Sequence, residues 1–254
     1  GAVTWGNGAT GITGLVSAAN SLVGSTADDQ VGSGGVTALT NGNYVVASRF
    51  WDNGAVTNVG AATWGNGGGG TVGAVSAANS LVGSIANDYV GINGVTALTN
   101  GNYVVASAAW GSSDVGAATW GNGATGITGF VSISNSLIGI RNDDQVGGGG
   151  VTALNNGNYV VASQAWGSSD VGAVTWGNGT TGTTGVVSAA NSLVGSIAND
   201  FVGIGGVTAL TNGHYVVRSQ NWDGAAVNAG AVTWGNGATG ITGLVSAANS
   251  LVGS

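Results

Sequence analysis

The chain has 254 residues, 52 of them glycine, with no proline, cysteine or methionine. All ten acidic residues are aspartate and all three basic ones arginine, so the net charge is −7 and charged residues are 5% of the total, against roughly 25% in ordinary globular domains. Three scattered arginines form no basic patch, which excludes nucleic acid and anionic membrane as expected partners. With no cysteine and a single histidine, His214, zinc and iron–sulfur sites, thiol nucleophiles and disulfide frameworks are excluded too.

Apolar residues reach 43%, enough for a substantial core in a chain of this length and too many for intrinsic disorder. No apolar run approaches the roughly 18 residues of a membrane helix, so membrane insertion is not expected. The first residue is Gly1 and no signal-peptide pattern precedes it, which reads as an internal piece of a longer protein or a processed product.

Taken in chain order, residues 1–25 open with T-W-G-N-G, a string that occurs five times, with its tryptophans at Trp5, Trp64, Trp120, Trp176 and Trp234. Successive copies are 59, 56, 56 and 58 residues apart. G-V-T-A-L recurs between them at Gly35, Gly94, Gly150 and Gly206. The repeats run 26–84, 85–140, 141–196 and 197–254, after a half-repeat at 1–25. In the first full repeat, Val36–Leu39 reads as a strand and Asn41-Gly42 as a hairpin turn with positive φ angles. Tyr44–Ala47 returns as the partner strand. Ala61–Trp64 forms a third strand, closed by Gly65-Asn66-Gly67, and Val75–Val82 a fourth. The A-A-N-S-L-V stretch could make one helical turn, but flanking glycine and β-branched residues argue for strand. The fold class is all-β.

Four strands in about 57 residues suit one blade of a β-propeller. The alternative is a β-solenoid, in which fixed asparagine and glycine positions would stack as ladders. The antiparallel Asn-Gly hairpin favours the propeller. The run from Asn20 to Ser48 resembles the FG-GAP repeat of integrin-α-type propellers. Gln30-Val31-Gly32 stands at that family's Phe-Gly, Val46-Ala47-Ser48 at its Gly-Ala-Pro, and Gly60-Ala61 to Trp64 at the strand that follows. The resemblance implies blades of about this size. Calcium-binding members carry a D-x-D-x-D-G-like loop between the first two strands; here it is Thr40–Asn43, with no carboxylate. The inherited calcium site is therefore expected to be lost, since calcium takes six to eight oxygen ligands. Arrays worded like this one also look like parts of large bacterial surface proteins, which implies an exported adhesive or structural role.

Residues 1–25 and 230–254 are identical. The chain thus carries five copies of the third-plus-fourth strand pair and four of the first-plus-second pair. Nine half-blades do not close a ring cleanly, so the spare half either belongs to a longer array or docks on another copy.

Among candidate sites, Trp51, Trp110, Trp166 and Trp222 lie in the variable loop after the second strand, where an aromatic ring can stack on a sugar; the bland reading folds each over the blade edge. Asp29, Asp88, Asp144 and Asp200 precede each first strand, as turn caps or as ligands. The adjacent pairs Asp28-Asp29 and Asp143-Asp144 are the places a weak cation would choose. No carboxylate pair faces one substrate, His214 replaces a turn asparagine, and no nucleophile–base pair emerges. The sequence thus describes a non-enzymatic, cofactor-free, structural or adhesive module at a cell surface or in an extracellular filament, partnered by copies of itself. The alternative is a carbohydrate-binding propeller using the Trp51 series.

Overall fold

The computed structural model describes residues 1–254, and it contains strands and turns but no helix. Hence no helix is long and apolar enough to cross a membrane. In repeat 26–84 the four main strands are Gly35–Ala38, Tyr44–Ser48, Ala61–Gly65 and Ser80–Val82, paired antiparallel in that order. The other full repeats reproduce this sheet, with second strands Tyr103–Ser107, Tyr159–Ser163 and Tyr215–Ser219. Residues 1–25 supply only a third strand, Ala2–Val3, and a fourth, Leu22–Val23.

Two local features differ from the sequence reading. The stretch Val75–Val82 is not one strand. The Asn79 side chain accepts from the Ser76 amide and donates to the Ala74 carbonyl, both at 2.9 Å, and this bends the chain between a short strand, Gly73–Ala74, and Ser80–Val82. Asparagine competes with ladder hydrogen bonds in this way. In the hairpin, only Gly42 has positive φ, at 88°. The Gly42 amide bonds the Leu39 carbonyl and the Leu39 amide bonds that of Asn43, which describes a three-residue loop with a left-handed glycine.

The short strands join one repeat to the next. Gly73–Ala74 pairs parallel with Leu22–Val23, Gly129–Phe130 with the fourth strand of repeat 26–84, and so on along the chain. Successive sheets also pack face to face. One cluster unites Leu39, Val45 and Leu81 of repeat 26–84 with Tyr103, Val105 and Val131 of the next, and equivalent clusters fill the following junctions. Within each sheet a buried hydroxyl pair, such as Thr63 and Ser80 at 2.6 Å, crosses from third to fourth strand. The molecule is therefore a run of four-stranded sheets, each stabilised by its neighbours, as in other repeat arrays. No strand pair, hydrogen bond or hydrophobic cluster joins the first sheet to the last.

Candidate functional site

The T-W-G-N-G string builds the junction between repeats. The first glycine lies on a tyrosine ring: a Cβ at Gly121 would overlap Tyr103, and the same holds at Gly65, Gly177 and Gly235. The second lies on the hairpin turn, where a Cβ at Gly123 would overlap the Gly101 carbonyl. These close approaches require glycine. The Gly123 carbonyl then accepts three donors from the preceding repeat: Asn41 Nδ2 at 2.8 Å, Asn43 Nδ2 at 2.9 Å and Trp64 Nε1 at 2.9 Å. Gly179 and Gly237 each accept the same trio from the repeat before. The Gly123 amide in turn donates to Asn102 Oδ1 within its own repeat. Asn43, Asn102 and Asn158 therefore form a continuous ladder through the array, one amide per repeat. His214 is its last rung, accepting the Gly237 amide at Nδ1. The ladder is the feature expected of the solenoid alternative, here built on antiparallel sheets.

Each candidate aspartate has a defined place. Asp29 is buried; its Oδ2 accepts the Ser25 and Thr26 amides, and its Oδ1 accepts the Thr26 hydroxyl and the Asp52 amide. Burial pushes its pKa up, but these hydrogen bonds together outweigh burial and leave it lowered. Asp144 is equally buried and accepts the Ile140, Arg141 and Gly167 amides. Asp28 and Asp143 are exposed, at φ 66° and 62°, where the other repeats carry Asn87 and Asn199 in the same conformation. They serve a left-handed turn position that asparagine fills as well. The two members of each pair thus do different local work, and both oxygens of the buried one are engaged by the backbone.

The loop tryptophans fold inward. Trp51 and Trp222 are 2% and 8% exposed and belong to core clusters, while Trp110 and Trp166 are half-buried against theirs. The rings of Trp51 and Trp222 are therefore closed to a sugar, while those of Trp110 and Trp166 stay partly open.

The first and last repeats lack the neighbours that cover interior ones. Val16 is 61% exposed while its counterpart Val245 is 4%; Leu22 is 1% exposed while its counterpart Leu251 is 79%. Identical segments therefore bury opposite faces, each covering what the other leaves open. At the second end, a groove of about 550 Å³ runs along Arg218, Gly230, Val232 and Leu251. In the interior this place is filled by the next loop, as where Val90 lies on Gly60 and Val146 on Gly116. Sequence reading singled out the identity of the ends but not the glycine carbonyls, because their donors lie about 60 to 80 residues away.

Fold and junction together define an all-β array of stacked repeats. The chain belongs to a family described as a repeat of unknown function, DUF5650, which matches residues 1–33, 38–92, 97–148, 153–204 and 209–254. No curated protein matches the chain.

Proposed function

We propose that the chain is a non-enzymatic structural or adhesive module of an exported protein, working at a cell surface or in an extracellular filament and associating with copies of itself. The observation that carries this reading is the repeated junction, in which each repeat meets the next through the same three donors, glycine carbonyl and apolar face. The repeat chemistry agrees with it: the side chains recurring in every unit hold sheets together, and the buried aspartates are committed to turns. No cofactor or cation enters the proposed role. In its finer architecture we read the repeat as a propeller-like blade of the FG-GAP type, stacked in a continuing series. A carbohydrate-binding role is less well supported, since it needs the rings of Trp51 and Trp222 to be open.

Sedimentation velocity over a wide concentration range tests the proposal. The expected result is concentration-dependent growth of species larger than one chain. A single monomeric species throughout would refute it.

A further inference from the structure

We propose that Asn53 is a site of self-modification, at which the Gly54 amide attacks the asparagine side chain and converts it to aspartate and isoaspartate.

The sequence holds eleven Asn-Gly pairs. Glycine has no Cβ to hinder approach, so its amide nitrogen can reach the Cγ of the asparagine before it. The fold engages every pair but one. In the hairpins, Asn41, Asn100 and Asn156 donate Nδ2 to a glycine carbonyl of the next repeat. The glycine amides that follow them are bonded to the carbonyls of Leu39, Leu98 and Leu154. In T-W-G-N-G, Asn66, Asn122 and Asn178 accept backbone amides at Oδ1. Their glycine amides donate to Asn43, Asn102 and Asn158. Asn93 accepts the Ala108 amide, and the Gly94 amide donates to the Gly91 carbonyl. Asn7, Asn212 and Asn236 likewise have Oδ1 engaged.

Asn53 is the exception. Its side chain is exposed and makes no hydrogen bond, and the Gly54 amide has no acceptor. Gly54 has φ 64°, with nothing within 4 Å of a Cβ. This freedom belongs to the loop itself. Ser112, Ser113, Ser168 and Ser169 occupy the corresponding tips and are exposed, although repeats pack on both sides of them. The loop Trp51–Gly60 is also longer than its counterpart Trp110–Gly116, so its tip extends further.

The chemistry needs only water. The Gly54 nitrogen gives up its proton and bonds to Asn53 Cγ, the Cγ–Nδ2 bond breaks, and Nδ2 leaves as ammonia, closing a succinimide ring. Water then opens the ring. Cleavage of the bond between the Gly54 nitrogen and Cγ gives aspartate, and cleavage of the bond to the backbone carbonyl carbon gives isoaspartate. Either product adds a carboxylate beside Asp52. The fold survives, because the Gly60 amide still bonds the Trp51 carbonyl at 3.0 Å and the Trp51 ring stays in the core.

The test incubates the folded full chain in mildly alkaline buffer, with a parallel sample in urea. Peptide mapping by mass spectrometry reads conversion at each pair, and electron-transfer fragmentation separates isoaspartate from aspartate. Conversion at Asn53 should be at least about tenfold faster than at Asn41, Asn93 or Asn122, which react only after local opening. In urea the difference should vanish. Asn53→Gln should fold as the parent does and lose the acidic species that isoelectric focusing shows in the aged parent. Conversion at Asn53 no faster than at the held pairs would overturn the proposal. So would an intact Asn53 in a folded sample whose urea control has reacted.

Discussion

Substituting Gly123 by alanine tests whether the glycine carbonyl holds neighbouring repeats together. The added Cβ would lie 2.6 Å from the Gly101 carbonyl carbon and 3.0 Å from Asn41 Nδ2, so the hairpin turn or the 122–126 loop must move. Overpacking of this kind costs about 1–3 kcal/mol. Movement of the Gly123 carbonyl also loosens its bonds to Asn41, Asn43 and Trp64, at about 1 kcal/mol each. The total, about 4–6 kcal/mol by these figures, falls on one junction. Because an array is held by nearest-neighbour terms, the loss should uncouple residues 1–84 from the rest rather than lower stability uniformly. Hydrogen-exchange mass spectrometry should show faster exchange in the strands Tyr44–Ser48 and Ala61–Gly65 while Tyr159–Ser163 stays protected. Gly8→Ala is the control, with the same motif position and free space, expected within about 0.5 kcal/mol of the parent. Equal protection in Gly123→Ala and the parent would refute the reasoning.

Trp64→Phe removes one inter-repeat donor and should cost about 1 kcal/mol or more in urea unfolding. Trp234→Phe should cost less, because Trp234 is half-exposed at the end of the array. Burial pushes the Tyr159 hydroxyl up to about 12, only partly offset by the Thr183 amide it accepts. The unfolded state therefore loses this proton first, and stability should fall from about pH 10 to pH 12, by about 3 kcal/mol for this group. Alkaline unfolding of Tyr159→Phe should be correspondingly shallower, at the cost of an unpaired Thr183 amide near neutral pH. Tyr103→Phe should cost less near pH 7 than Tyr159→Phe, since only a loose approach of the Ile127 amide meets the buried Tyr103 hydroxyl. The lowered pKa of Asp29 makes its contribution complete above the ordinary aspartate range, near pH 4, and lost as pH falls through the folded value. Asp29→Ala should thus destabilise at pH 7 and converge with the parent in acid, while a chelator leaves the melting temperature of the parent unchanged.

Much of the architecture was legible because it rests on short-range signals. The repeat, the all-β class, the Asn41-Gly42 hairpin and three strands per unit follow from local pattern and turn chemistry. The Ser76–Asn79 turn was missed because a side-chain amide, not hydrophobic spacing, decides it. The Trp51 loop looked like an exposed platform because its neighbours are polar and variable; burial of its ring depends on packing against Leu22 and Val75, a fact of tertiary structure. The Trp5 series is marked in the sequence by its recurrence, and the structure adds the reason for its position, an indole N–H aimed at the next repeat's glycine. That contact spans about 60 residues and leaves no mark in any local window.

The central claim is the proposal that the module associates with copies of itself. Negative-stain electron microscopy of the purified chain, from dilute to concentrated, measures it most directly. The account predicts assemblies larger than one chain that grow with concentration. Isolated particles of one chain at every concentration would contradict it.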